Sequence, residues 1–331
     1  MSAAPLIRKL AGSPADAREL DEAEAHGLLG ALLDGGVAEL ETGALLVALA
    51  MRPLAEAELA GMRRAVQERI NRLSSPQHGG EATRPVVIPS YGGALQKPNL
   101  MPLVALLLAR FGVATLVHGM LESHRGVASA QVLRELGVLP CVCLADAERA
   151  LAQRRIAFVP TALLAPALAR LLALRARLGV DNCARRVAAL LDPFGGDALK
   201  LVPASDAQRQ EVLGAVLQAQ GESALLFVGC EGEAYPDPEQ RPAIEHIHEH
   251  RREQLFEADR APLRARGTRL PDGVQARGAA RWIEDALEGR VPLPQPVVNL
   301  LSCCLYASGY SVDFGQSKAI VAVRAQRPAS A

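Results

Sequence analysis

From residue 86 onward, short apolar runs rich in β-branched residues alternate with helical stretches of about ten residues, and this alternation limits the fold more than any other feature. Val86-Val87-Ile88, Val113 to Val117, Ile156 to Val159, Leu199 to Val202 and Ala224 to Val228 read as strands, and Ile320 to Val323 reads as the closing strand. Leu103 to Arg110 and Ala130 to Leu136 read as helices between them. A strand with no polar alternation is buried on both faces, and a helix between successive strands makes each connection a crossover. The pattern therefore predicts a mostly parallel sheet flanked by helices. Ligand sites in such sheets lie beyond the strand C-termini. That gathers Pro89 to Asn99, His118-Gly119 and Gly229 to Glu233 around one cleft.

Before this region the texture is helical. Leu28-Leu29, Leu32-Leu33 and Leu45 to Leu49 recur at helical spacing, Gly35-Gly36 supplies a break, and Glu56 to Leu73 reads as an amphipathic helix. The polar, Gly/Pro-rich stretch Ser74 to Arg84 reads as a linker. The expected division is a small helical-bundle domain over 1–75 and a larger α/β domain over 84–163 and 197–331. Half of the 331 residues are apolar, enough for a sizeable core, yet only 3% are aromatic, so Leu, Ala and Val must do most of the packing. No run reaches the roughly 18 apolar residues of a membrane helix, and Met1 to Leu10 has no signal-peptide h-region. The six cysteines form no CxxC pair and sit mostly in apolar runs, which predicts reduced thiols and a cytoplasmic protein.

The net charge of zero conceals a separation. Residues 1–60 carry ten acids against four bases, whereas residues 149–186 carry eight arginines and one acid, Asp181. On a helix over 164–178, Leu164, Leu168, Leu171, Leu172 and Leu178 share one face, with Arg170 and Arg177 opposite. A merely solvated helix mixes both signs; this segment does not. It predicts a phosphate-binding ridge of Arg154, Arg155, Arg170, Arg177, Arg185 and Arg186, with Lys97 and Arg125 extending it at the cleft. A second patch, Arg63, Arg64, Arg69 and Arg72, reads as solvated surface. Tyr91, Phe194 and Tyr235 are the few aromatics placed for stacking, and packing is the simpler reading of each. Recognition of backbone rather than bases follows, without sequence preference. His246-x-His248-x-His250 shares a strand face but has no further ligand nearby, so no metal is expected there.

Several segments carry a family resemblance. Gly43 to Arg52 follows a Gly-Ala…Ala-Leu-Arg helical pattern, and His118-Gly119 is followed without a gap by Ser129 to Gly137. Ser90-Tyr91-Gly92-Gly93-Ala94 leads to Asn99-Leu100-Met101-Pro102, and Gly179 to Pro193 forms a further matching block. Together these resemble the anthranilate phosphoribosyltransferase family over nearly the whole chain. The resemblance implies a nucleoside phosphorylase/phosphoribosyltransferase-like fold in which residues 164–193 complete the helical domain. It also marks departures. The family cradles the diphosphate of phosphoribosyl diphosphate with Gly-Thr-Gly-Gly-Asp and then Asn-x-Ser-Thr, because glycine lets backbone N–H groups approach phosphate oxygens. Here Gly92, Gly93, Asn99, His118 and Gly119 remain as a vestigial phosphate loop, while Ala94 replaces the aspartate. Asp181 stands where the family's arginine meets the acceptor carboxylate, and the adjacent Asp-Glu metal pair is split into Glu231-Gly232-Glu233.

The segments Arg84 to Pro89 and Lys97 to Leu100, with Gly229 to Glu233, resemble the YbiB-like branch of this family. That resemblance implies a homodimer that binds nucleic acid without sequence preference and without transferase activity. The expectation is thus a non-enzymatic protein that contacts DNA, RNA or both through phosphates, with no catalytic residues, cofactor or metal. The rival is a glycosyl- or phosphoribosyltransferase with a non-anthranilate acceptor, using Gly92-Gly93 and Asn99, with Glu231 and Glu233 holding Mg²⁺.

Overall fold

The computed structural model describes residues 3–11, 18–76, 83–124, 126–259 and 270–324. It divides into two compact units, one of Met1–Arg72 with Thr161–Pro193, the other of Leu73–Pro160 with Phe194–Ala331.

The first unit is helical. It opens with α1 (Ala4–Ala11), α2 (Glu22–Leu33), α3 (Glu39–Ala50) and α4 (Glu56–Gln67). Asp21 starts α2 by a capping box: its carboxylate accepts the Glu24 N–H at 2.8 Å, and the Glu24 carboxylate accepts the Asp21 N–H at 2.9 Å. Gly61 lets α4 approach α2 closely, since a Cβ there would lie 2.1 Å from the Glu22 carbonyl oxygen. Leu28, Leu29, Leu45, Leu46, Leu49 and Met62 are fully or almost fully buried in this core. Each such side chain stabilises the fold by about 1.5–3 kcal/mol. Glu58, at 0% exposure, is held by N–H groups of Leu20 and Ala55 at 2.9 Å each and by the Arg52 guanidinium.

In the second unit, seven strands of the described residues form one sheet: β1 (Val86–Ser90), β2 (Thr115–Gly119), β3 (Ile156–Pro160), β4 (Leu199–Ala204), β5 (Ala224–Val228), β6 (Ile244–His248) and β7 (Arg251–Phe256). The order is β3-β2-β1-β4-β5-β6-β7. The first five pair in parallel, and β6 and β7 add antiparallel strands at one edge. Helices α5 (Met101–Arg110), α6 (Ser129–Glu135) and α7 (Leu144–Arg154) belong to this first half of the sheet. Between the halves, the chain contributes α8 (Thr161–Leu164), α9 (Pro166–Ala173), α10 (Arg175–Leu178) and α11 (Cys183–Ala188) to the helical unit. The sheet unit is completed by α12 (Ala207–Ala219), α13 (Ala276–Leu287), α14 (Gln295–Ala307) and α15 (Phe314–Arg324). Its core gathers Leu103, Leu107, Phe158, Leu201, Leu225, Phe227, Leu300 and Leu301. The fold is the helical bundle plus mostly parallel α/β architecture that the sequence predicts.

Two local expectations need correction, and one hairpin lies outside the pattern read from the sequence. Ile320 to Val323 is helical: Ser317 and Val321, four apart, are buried while Val323 is half-exposed, which is the helical period. The helix read over 164–178 starts only at Pro166, because Ala165, preceding a proline, is pushed out of the helical region to φ −142°, ψ 74°; α9 and α10 then divide at Leu174, whose φ −62° and ψ −18° stay helical. Strands β6 and β7 escape the apolar-run pattern because they are polar and one-sided, with Ile244 and Ile247 buried and most of β7 facing outward. They join through Glu249 and His250, both at positive φ (49° and 62°), the twist a two-residue hairpin turn needs.

Candidate functional site

The loop after β1 meets the turn after β5. Gly92 and Gly93 both aim their N–H groups at Glu233 Oε1, at 2.9 and 2.7 Å, and the Ser90 hydroxyl donates to the same oxygen at 3.4 Å. Ser129, at the start of α6, donates its hydroxyl to Glu233 Oε2 at 2.8 Å. Glu231 does the same for the rest of the loop: its carboxylate accepts the N–H groups of Leu95, Gln96 and Lys97 at 2.9, 2.9 and 3.2 Å. To present both carboxylates, the chain takes positive φ at Glu231 (52°) and Gly232 (80°). Gly92 is required because a Cβ there would lie 2.7 Å from the Glu231 carbonyl oxygen and 2.8 Å from the Gly232 carbonyl carbon. Glu233 is buried; burial pushes its carboxyl above the ordinary value, against the downward pull of the Ser129 hydroxyl and the Gly93 N–H. The glycine amides of the vestigial phosphate loop thus already hold anions, and these anions belong to the protein.

The other loop residues serve this arrangement. Asn99 donates to Val127 O at 3.2 Å and Ser129 Oγ at 3.0 Å and accepts the Met101 N–H at 3.2 Å, so it positions Ser129. His118 is fully buried on β2 and shares a 2.9 Å hydrogen bond between its Nδ1 and the Tyr91 hydroxyl. Burial pushes His118 down to about 3, so the ring is neutral and orients the loop. Gly119 permits close strand approach, since a Cβ would lie 2.0 Å from Ser90 O. Lys97 Nζ lies 2.7 Å from both Asp237 oxygens and 2.9 Å from Glu239.

Mg²⁺ does not fit these residues. A divalent cation needs carboxylate lone pairs, and those of Glu231 and Glu233 accept backbone and hydroxyl hydrogens instead. Among the described residues, no group of three or more His, Cys, Asp or Glu side chains could hold a metal. His246 and His248 stack at 5.7 Å on β6, burial pushes His246 down to about 4, and His250 turns away to Gln218 O at 3.0 Å.

Two of the six ridge arginines, Arg177 and Arg185, pair with acids. Arg175 and Arg185 flank Asp181 at 2.5 and 2.7 Å, all three only about a quarter exposed. Arg186 donates to the Arg52 carbonyl at 3.0 Å. Arg177 pairs at the surface with Glu39, with exposures of 69% and 72%. Arg170, exposed on α9, donates to Leu33 O at 3.3 Å, and Arg177 lies on α10 beyond Leu174. Arg154 is exposed at the end of α7, while Arg155 is half-buried at φ 60°, its carbonyl accepting the Thr115 N–H. Arg125 lies outside the described residues. Arg185, Arg186 and Lys97 thus each have a partner within the protein. The second patch is paired too: Arg64 with Glu22 and Arg69 with Asp34, while burial pushes Arg63 down to about 10. The acid excess of residues 1–60 is what neutralises much of this charge, a pairing that linear charge counting cannot reveal.

All six cysteines are free; Cys183, Cys230, Cys303 and Cys304 are buried, Cys141 is half-buried and Cys143 is exposed. No helix of the described residues is long and apolar enough to cross a membrane. Tyr235 is packed in the core with its hydroxyl on Pro98 O at 2.9 Å. The internal role of Glu233 is one that sequence reasoning misses; the available signal is an acid pair split by a glycine, Glu231-Gly232-Glu233, facing a loop whose own aspartate is replaced by Ala94.

Residues 4–70 match the family model described as "Glycosyl transferase family, helical bundle domain". The chain is 33% identical to the Escherichia coli (strain K12) protein "Uncharacterized protein YbiB" over 96% of this chain and 97% of that one. Its fold is similar to that of anthranilate phosphoribosyltransferase from Thermus thermophilus, with TM-score 0.76, 24% identity and coverage of 98% of this chain and 95% of that one. It is also similar to the Saccharomyces cerevisiae anthranilate phosphoribosyltransferase in complex with PRPP and Mg, with TM-score 0.72, 14% identity and coverage of 96% and 92%. The full-length likeness to YbiB, the helical-bundle match and the shared architecture together establish that the chain belongs to the glycosyltransferase family 3, anthranilate phosphoribosyltransferase-like family.

Proposed function

We propose that this chain is a sequence-independent nucleic-acid-binding protein on a phosphoribosyltransferase-like scaffold, cytoplasmic and homodimeric, without anthranilate phosphoribosyltransferase activity. The observation that carries the reading is the closure of the vestigial phosphate loop by Glu231 and Glu233. Amide groups that would have to receive a diphosphate are already bonded to the protein's own carboxylates. Asp181, in place of an acceptor-binding arginine, is itself neutralised by Arg175 and Arg185.

Anion recognition then rests on exposed arginines with weak attachments. Arg154 and Arg170 are exposed, and the Arg177–Glu39 pair is of the surface kind that contributes only about 0–1 kcal/mol. Exchanging Glu39 for a phosphate costs little. Free thiols on all six cysteines support a reducing compartment. The test is fluorescence anisotropy with labelled single- and double-stranded DNA and RNA across salt. Log K should fall linearly with log salt, by roughly 0.7–0.9 per phosphate neutralised. Arg170→Ala with Arg177→Ala should flatten the slope by about two units for every sequence tried. Wild-type affinity and slope in the double variant would remove these arginines from the interface.

The second reading, a glycosyl- or phosphoribosyltransferase with a non-anthranilate acceptor, is favoured by the likeness to anthranilate phosphoribosyltransferases, one of them in complex with PRPP and Mg. It requires the loop to release Glu233. Saturable stabilisation of the protein by phosphoribosyl diphosphate with Mg²⁺ would support it over the first reading.

A further inference from the structure

The closure of the loop by the turn, on which the first reading rests, has a donor chemistry of its own. Two carboxylates from one five-residue turn receive seven donors from the β1 loop and the start of α6. Glu233 takes four: two glycine N–H groups and two hydroxyls. Glu231 takes three successive amides. Three successive amides converging on one anion, or two glycine amides beside two hydroxyls, is the donor set that binds phosphate oxygens elsewhere in proteins. The turn reaches it at the expense of a left-handed φ at Glu231, a non-glycine residue, and such strain persists only where surrounding contacts hold it. Glycine is needed at 92 and 93 because any side chain would collide with the turn's backbone or with Ser123.

We propose that the Gly229–Glu233 turn is an internal ligand: its two carboxylates occupy a two-lobed oxyanion site built by Ser90 to Lys97 and Ser129, and hold it closed to phosphate-class anions. The site is competent but self-occupied. Removing the Glu233 carboxylate leaves four buried donors without an acceptor, and a small oxyanion of the right size replaces it. This rests on the same loop closure as the first reading, but its failure is distinguishable from that of the arginine contacts, since small anions at fixed ionic strength probe the loop and polymers across salt probe the arginines.

The experiment is chemical rescue of Glu233→Ala. Thermal unfolding of the full chain is followed in formate, inorganic phosphate or inorganic diphosphate, each balanced against chloride at constant ionic strength. Glu233→Ala should unfold several degrees below wild type and regain part of that loss, saturably, with at least one oxyanion. Wild type should show no saturable shift, because its site is filled. Glu233→Gln, which keeps the shape and one acceptor oxygen, should also show none. If Glu233→Ala does not fold in chloride, its refolding yield in the oxyanion against chloride measures the same rescue. Glu231→Ala, whose amide donors lie nearer the surface, repeats the test on the other lobe. A Glu233→Ala protein no more responsive to oxyanions than to chloride would overturn the proposal. So would a wild-type protein that binds inorganic diphosphate saturably, because the turn would then not be holding the site closed.

Discussion

His118 shows how burial sets a residue's chemistry more firmly than its sequence context. Its ring is fully enclosed on β2, Nδ1 meets the Tyr91 hydroxyl, and Nε2 has no partner. Burial lowers its pKa from 6.5 to about 3, so the folded protein keeps it neutral while the unfolded chain protonates it below 6.5. The sign follows: its stabilising contribution is fully present above 6.5 and is lost as pH falls from 6.5 towards 3. The loss runs at up to about 1.4 kcal/mol per pH unit. His246, pushed down to about 4, adds to this slope. Glu233 opposes it, because a carboxyl raised above 4.5 contributes stability that is lost as pH rises past that value. The difference between wild type and His118→Phe isolates the histidine. Urea unfolding at pH 7.5, 6.5, 5.5 and 4.5 should give the variant a shallower acid loss, by up to one proton's worth of slope. Parallel profiles would mean that His118 charges within the fold. In the sequence His118 reads as part of the vestigial phosphate loop; its place inside β2 and its bond to Tyr91 show only in the fold.

Elements are legible where their pattern is strong. The strands β1 to β5 carry continuous apolar runs that only a doubly covered sheet can bury, and they emerge as read. The polar hairpin β6–β7 is missed because its single buried face holds little more than Ile244 and Ile247. The arginine segment is legible only in part: charge is counted along the chain, whereas Glu39, the partner of Arg177, arrives from another element. Within α9 to α11 the pairings differ in depth, and this has a measurable consequence. Asp181 bridges Arg175 and Arg185 with all three side chains less than a quarter exposed. Asp181→Ala leaves two half-buried guanidiniums facing each other without a counter-charge and should cost about 1–3 kcal/mol. Arg177→Ala removes only a surface pair with Glu39 and should cost less than about 1 kcal/mol. Urea midpoints at unchanged slope measure both. Equal effects would mean that depth of pairing does not distinguish structural from available arginines here, and the basis for separating Arg177 from Arg185 would fall.

For the molecule as a whole, a net charge of zero describes the surface better than the separation along the sequence does, since acids of residues 1–60 meet arginines of the same helical unit. Among the exposed and half-buried apolar residues, four form a stripe on one helix. Leu40, Ala44, Val47 and Met51 follow one another on α3 and its end at spacings of four, three and four, which puts them on a single helix face. Leu40 is 84% exposed and Met51 75%, while Leu45, Leu46 and Leu49 on the other face are fully buried. A helix with apolar residues on both faces is favourable in water only when both are covered. A two-fold axis lets the stripe pack on its own copy, which is the self-complementary contact that a homodimer requires. Light scattering of wild type should therefore give twice the chain mass of 35.1 kDa at micromolar concentration. Leu40→Glu with Met51→Glu should give the single chain mass, with circular dichroism unchanged, because neither side chain belongs to the core. The same variant should bind long nucleic acid more weakly than wild type and short oligonucleotides about equally, since a dimer engages a long strand through two sets of arginines and gains from effective concentration. A wild-type monomer would sink the homodimer. A charged variant that stays dimeric would move the interface to another face, and equal loss on long and short strands would show that the variant damages the binding surface itself rather than its duplication.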